Sequence, residues 1–168
     1  MNVLTMIQLI SFVMAAHADS QTKDPVRRWD KNTPYSIHPI WCAMTLLHET
    51  KLPEDLRVRG SQALLLHDII EDTNAAIPQI VVPGVIALVK DMTFSSSAAE
   101  FEEIWGKSFE VKLFKLYDKT SNLMDGSWMP DEKWNKYCVL TGRLAEIAHA
   151  QYGMLNIVKI AGEIAQRR

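Results

Sequence analysis

Apolar residues recur at helical spacing along almost the whole chain. Near the start, Val3, Met6, Ile7, Ile10, Val13 and Met14 follow an i, i+3, i+4, i+7 stripe, which predicts a first core helix over about residues 3–18. The polar stretch "DSQTKDPVRRWDKNTPYS" that follows carries Pro25 and Pro34 and reads as a loop. "IHPIWCAMTLLHET" restarts a helix, with Pro39 tolerated in its first turn. "LPEDLRVRGSQALLLHDIIEDT" reads as one further helix, stopped by Asn74 and Pro78. "VPGVIALVKDMTF" has enough β-branched residues for a strand, but Pro83 followed by a period near 3.6 favours a helix. In "SSSAAEFEEIWGKS", Ser97 and Glu100 stand at capping-box spacing ahead of an amphipathic helix. "FEVKLFKLYDKTSNLMDG" predicts a helix ending near Gly126, and two more helices fill residues 129–168. No repeat, linker or boundary interrupts the series. The expectation is an all-α chain, one compact domain over residues 1–168 built as a bundle of about seven to nine helices.

One segment breaks the apolar rhythm. "LLLHDIIEDT", residues 64–73, sets His67, Asp68, Glu71 and Asp72 inside an otherwise hydrophobic helix. Burying that much charge costs several kcal/mol, roughly, unless something compensates. On a helix His67 and Glu71 share a face, and Asp68 and Asp72 form a second pair beside them. Neighbouring carboxylates repel unless a cation lies between them. A divalent metal on His67 and Asp68 would offset that repulsion and leave Glu71 and Asp72 to orient or deprotonate a water. An adjacent His-Asp pair cannot fill a coordination sphere, so further ligands must come from other helices. His38, at a helix start in "YSIHPI", and Asp118, which interrupts the apolar face of Leu113, Phe114 and Leu116, are the candidates.

Composition narrows the partners. A hydrophobic fraction of 48% and a charged fraction of 23% are those of an ordinary globular chain. A net charge of −2 argues against wholesale attraction to nucleic acid or an anionic membrane. Cys42 and Cys138 have no metal-knuckle spacing and read as reduced thiols. Ala16-His17-Ala18 resembles a signal-peptidase site, but no Lys or Arg precedes it. No run reaches the roughly 18–20 apolar residues of a spanning helix. A cytoplasmic protein is therefore expected, with neither nucleic acid nor membrane as partner.

"TPYSIHP", "LLLHDIIEDT" and "KLYDKTSNL" together resemble the hydrolase domain of RelA/SpoT-type alarmone enzymes and their stand-alone small relatives. These belong to the HD superfamily of metal-dependent phosphohydrolases. The order and rough spacing follow that pattern from the first helix to about Gly126, so residues 1–126 form the motif-bearing core of an HD-domain bundle. The resemblance implies metal ligands at His38, His67, Asp68 and Asp118, with manganese as the usual metal. It implies that Glu71 and Asp72 activate the attacking water and that Asn122 contacts a nucleoside. The implied reaction releases pyrophosphate from the 3′ position of guanosine tetra- or pentaphosphate.

Basic side chains would neutralise the remaining phosphate charge, and Arg27, Arg28, Lys31 and Lys119 are the candidates. Tyr35 or Trp29 could stack on a base. The chain also departs from the pattern. "WDKN" separates Arg27-Arg28 from "TPY" as an apparent insertion, Lys119 stands where an Arg is usual, and "TSN" replaces a motif containing a ring. Such changes keep a second substrate in view, a nucleoside 5′-monophosphate or an adenosine alarmone. A non-catalytic module that binds a nucleotide or a partner is the other alternative. The helices of residues 129–168 match no motif, which leaves two uses open for them: packing under the core, or a contact between copies in a homo-oligomer.

Overall fold

The computed structural model describes residues 3–167, apart from the side chains of residues 3 and 4. Nine α-helices and two short 3₁₀ turns follow one another there, with no strand among the described residues. The all-α expectation holds. Helix α1 (Val3–Ala18) buries Met6, Leu9, Val13 and His17, spaced three or four residues apart on one face. This corrects the expected stripe: Ile7 and Met14 are exposed, and Val3 falls outside the described side chains. Thr5, Gln8 and Ser11 mark the outward side of α1, but the apolar stripe is too broad for hydropathy alone to choose which of its residues turn inward.

Residues 19–36 close into a small hairpin-like loop. The N–H of Arg27 donates to the carbonyl of Thr33 at 2.7 Å, and that of Tyr35 to the carbonyl of Pro25 at 2.7 Å. A single bridge pairs Val26 with Pro34. The closure delivers Tyr35 and His38 to the interior at the start of α2 (Ile37–Leu47). Helices α2 and α3 (Glu54–Leu66) pack closely, and Gly60 is the reason they can. A Cβ there would meet the Phe114 ring at 2.4 Å and Leu46 Cδ2 at 2.7 Å.

The helix expected to run unbroken to Thr73 divides. Helix α3 ends at Leu66, and a separate turn, α4 (Ile69–Asp72), begins after His67 and Asp68. His67 Nδ1 lies 2.7 Å from the Leu64 carbonyl oxygen and caps it, so the side chain occupies an acceptor that the helix would otherwise use. The ambiguous segment is helical, α5 (Pro83–Met92), with proline in its first turn. Helix α6 (Ser97–Glu103) is capped by Ser96, whose hydroxyl accepts from the Ala99 N–H at 3.1 Å. The expected capping box is thus displaced by one residue, and Glu100 is released from it to point inward.

Helix α7 (Phe109–Met124), capped by Ser108, forms the axis of the fold. It touches α2, α3, α5, α8 (Asp131–Tyr152) and α9 (Asn156–Ala165). Every side chain from Leu113 to Ser121 is consequently buried, Lys115, Asp118 and Lys119 included. Each apolar member of that run contributes about 1.5–3 kcal/mol by leaving water. Each charged member needs a partner. The C-terminal helices close over α7, and the buried Glu49 carboxylate accepts the Asn156 N–H at 2.7 Å, which pins the start of α9. No described helix is long and apolar enough to cross a membrane.

Candidate metal centre and the cavity above it

Four side chains remote in sequence converge at the inner end of the bundle. His38 comes from the first turn of α2, His67 and Asp68 from the break between α3 and α4, and Asp118 from the middle of α7. His38 Nε2 lies 3.5 Å from Asp68 Oδ2 and 3.4 Å from Asp118 Oδ1. His67 Nε2 lies 3.1 Å from Asp68 Oδ1 and 3.8 Å from Asp118 Oδ1. One ligand atom each from His38, His67 and Asp118 fits within a span of 4.8 Å. Atoms bound to one ion at about 2.1 Å sit roughly 3.0–3.4 Å from each other, so the separations of 3.1–3.8 Å between these nitrogens and carboxylate oxygens are close to those of a coordination shell.

The neighbours of these groups orient them. A carbonyl can only accept, so the proton of a neutral His67 ring sits on Nδ1 and its Nε2 presents a lone pair. His38 Nδ1 is 2.8 Å from Ser121 Oγ, on α7. The buried Nε2 atoms of both histidines have no hydrogen-bond partner. Two buried, unpartnered nitrogens facing two carboxylates fit a divalent cation.

The electrostatics agree. Burial pushes His38 down to about 4, against the opposing pull of Asp118 and Asp68. Burial acts on His67 in the same direction, but Asp68 and Asp118 outweigh it and raise that ring to about 9. The rings are 5.2 Å apart, so a charge on His67 disfavours one on His38. Burial alone would raise Asp68 and Asp118. His67 and His38 overcome it for Asp68, and Lys115 and Lys119 for Asp118, so both carboxyls fall below their usual range.

Asp118 divides its two oxygens between support and site. Oδ2 takes Lys115 at 2.9 Å and Lys119 at 3.2 Å, while Oδ1 faces the histidines and accepts from Asn122 Nδ2 at 2.6 Å. Both lysines continue to Glu100, at 2.7 and 2.6 Å. Asp68 is steadied from the opposite side: the Tyr35 hydroxyl donates to its Oδ2 at 2.8 Å and accepts from Lys23 Nζ at 3.0 Å. Lys23 also pairs with Asp72.

A cavity of about 610 Å³ opens above this cluster. Asp68, Glu71, Asp72 and Asp118 form part of its wall. Glu71 stands on the solvent side, with Oε1 accepting the Phe94 N–H at 3.0 Å. Its position against the cavity wall raises its carboxyl, which the Phe94 bond only partly offsets. Of the expected phosphate contacts, Arg27, Arg28, Lys119 and the polar Asn122 do border the cavity. Arg27 is buried and held by Asp125 at 2.6 Å, and Lys119 is occupied by Glu100 and Asp118.

Other expectations are corrected. Lys31 is exposed and absent from the cavity wall, because it occupies the turn of the loop with φ of 53°. Trp29 is 57% exposed and also lies off the wall. Tyr35 is no free platform for a base: its ring is buried against His17, at 4.9 Å, and His38, at 5.8 Å. Sequence reasoning passed over Lys23, Glu100, Trp128 and Lys133, all on the wall. Lys23 lies only two residues before Pro25 in the basic loop and could have been found there. Glu100 carried no signal, since an acid in an amphipathic helix normally faces water.

The helical bundle thus gathers a histidine, an adjacent His-Asp pair and a distant Asp around one point. No protein-family model matches the chain. It is similar to the proteins named guanosine-3′,5′-bis(diphosphate) 3′-pyrophosphohydrolase MESH1. The Danio rerio protein is 29% identical over 140 residues, 77% of this chain and 73% of that one. The Homo sapiens protein is 29% identical over 144 residues, 80% and 76% of the two chains. That of Drosophila melanogaster is 29% identical over 129 residues, 71% and 68%. A solved structure described as "A metazoan ortholog of SpoT hydrolyzes ppGpp and plays a role in starvation responses" matches with a TM-score of 0.74 and 22% identity. The match covers 100% of this chain and 97% of that chain. The resemblance read from the motifs is therefore matched by similarity along most of the chain and by the fold.

Proposed function

We propose that the chain is a metal-dependent guanosine-3′,5′-bis(diphosphate) 3′-pyrophosphohydrolase. One observation carries the reading: two unpartnered, buried Nε2 atoms meet the carboxylates of Asp68 and Asp118 at 3.1–3.8 Å at the base of a cavity lined by cations and acids. The names of the similar proteins supply the substrate. His38, His67, Asp68 and Asp118 would hold the ion, and manganese is the ion we expect. Bound there, a divalent cation supplies Lewis-acid stabilisation of phosphoryl charge.

The remaining work falls to the protein. Glu71 is the general base, since Oε1 is anchored by Phe94 and the other oxygen is free to take a proton from water. Asp72 is held by Lys23 and serves to fix that lysine at the cavity wall. Lys23 and Arg27 set positive charge beside the leaving pyrophosphate. Asn122 acts through Asp118, whose Oδ1 it holds. The reaction breaks the bond between the ribose 3′ oxygen and the adjacent phosphorus: the oxygen of one water joins that phosphorus and the 3′ oxygen takes up a proton, giving GDP and pyrophosphate from the tetraphosphate. A cytoplasmic location follows from such a substrate.

The test is incubation of the purified protein with manganese and guanosine tetraphosphate, followed by separation of nucleotides and a pyrophosphate assay. Stoichiometric GDP and pyrophosphate, lost with a chelator and restored by metal, is the expected result. Protein that binds the metal yet releases no pyrophosphate would overturn the assignment.

A further inference from the structure

Six cationic side chains border the cavity: Lys23, Arg27, Arg28, Lys115, Lys119 and Lys133. Four are neutralised by carboxylates. Lys23 pairs with Asp72, Arg27 with Asp125, and Lys115 and Lys119 with Glu100 and Asp118. Among the described residues, Arg28 and Lys133 have no carboxylate at ion-pair distance. Asp125, which meets this loop, is already engaged: Oδ2 pairs with Arg27 at 2.6 Å and Oδ1 accepts from the Trp29 N–H at 3.1 Å.

These two cations nevertheless share one platform. The Arg28 guanidinium lies 4.5 Å from the Trp128 ring centroid, and Lys133 Nζ lies 4.8 Å from the same ring. Lys133 also stands 5.5 Å from the Tyr137 ring, and Lys119, the neighbour of Asp118, stands at the same distance from that ring. A line of cations and rings thus leads from the metal centre to the far wall. An indole face attracts a cation, but it does not cancel the repulsion between two of them. Burial together with Arg28, Lys119 and Lys23 lowers the Lys133 ammonium, as expected of a cation facing others without an acid. Arg28 comes from the loop before the "TPY" segment, and Lys133 from the first turn of α8, so the fold joins two segments remote in sequence at this wall.

We propose that Arg28 and Lys133, seated on Trp128, form a second anion subsite that holds the phosphate chain at the end of the nucleotide remote from the metal. The assignment rests on reading the cavity as the site of a doubly pyrophosphorylated nucleotide. With one pyrophosphate at the metal, the substrate's other phosphates need a separate counter-charge, and these two cations are the ones in the wall not already neutralised by a carboxylate. Arg28 offers a planar fork for two phosphate oxygens and Lys133 a point charge beside it.

The test measures equilibrium binding, so that turnover is not needed. Glu71→Gln protein is titrated with guanosine 3′-pyrophosphates carrying one, two or three 5′ phosphates, alone and combined with R28Q and K133Q. Affinity should climb with each added 5′ phosphate in the parent. The climb should flatten in the double variant, with a loss of roughly tenfold per cation removed for the longest chain. K133R, which keeps the charge, should restore the slope, whereas a purely structural role would not discriminate by phosphate number. Melting curves check that the variants fold. An equal slope in parent and double variant, or a parent indifferent to phosphate number, would overturn the subsite. Absence of pyrophosphate release by the unmodified protein, with the slope intact, would instead count against the reaction and leave the subsite standing.

Discussion

His67 Nδ1 lies 2.7 Å from the carbonyl oxygen of Leu64, and this contact both ends helix α3 and selects the tautomer that turns Nε2 toward Asp68 and Asp118. A helix terminus and a ligand orientation are therefore the same hydrogen bond.

Asp118 and Asp68 should differ when each is removed. Asp118→Ala strips Lys115 and Lys119 of one carboxylate in the buried axis of the fold, leaving both on Glu100. That should cost about 3–5 kcal/mol of stability as well as metal binding. Asp68→Ala faces the cavity and removes its own charge from between two histidines, so metal binding should fail with far less unfolding. Paired melting curves and metal titrations decide; equal destabilisation by both would refute the division of labour.

Tyr35→Phe deletes a hydroxyl that donates to Asp68 Oδ2 at 2.8 Å while accepting from Lys23 at 3.0 Å. The ring packing against His17 and His38 remains. Removing an outer support of a ligand weakens metal affinity by roughly tenfold or more. A calorimetric titration with manganese should show that loss with an unchanged far-ultraviolet spectrum. An unaltered affinity would mean that Asp68 does not need the hydroxyl.

Glu71 gives the pH dependence a definite sign. Its folded carboxyl is raised above the ordinary 4.5 by partial desolvation against the cavity wall, with Phe94 opposing. A base acts ionised, so the acid limb of kcat/KM, measured at saturating metal, should lie above 4.5 and fall as the pH drops through it. Stability runs the other way. A raised folded pKa stabilises the protein below the unfolded value, and the benefit is lost as pH rises through the folded one. Glu71→Gln should therefore melt higher than the wild type at pH 7, lose activity, and lose its melting advantage in acid. A variant that is less stable at neutral pH would contradict this.

Gly60→Ala tests the packing that brings α2, α3 and α7 together. The added carbon would lie 2.4 Å from the Phe114 ring and 2.7 Å from Leu46 inside the core. Overpacking of this kind costs about 1–3 kcal/mol. A denaturant midpoint equal to that of the wild type would show that the helices can part without cost.

Helix identity and the ligand types were legible along the chain because both are local. The 3.6 period marks α1, α2, α5 and α7 wherever the partner lies, and ionisable groups in an apolar run, such as His67-Asp68 and Asp118, announce themselves by the cost of burying them. Three other features are decided by neighbours distant in sequence. Which apolar residues of α1 turn inward, Leu9 and Val13 rather than Ile7 and Met14, depends on what packs against a helix whose apolar side is broad. The inward turn of Glu100 depends on Lys115 and Lys119 waiting for it across the bundle. Which cations of the cavity wall stay uncompensated, Arg28 and Lys133 rather than Arg27 or Lys119, depends on where the carboxylates arrive after folding. Periodicity and the cost of burial act through neighbouring residues and can be read in one dimension. Charge compensation acts through space, and only the tertiary structure assigns each charge its partner.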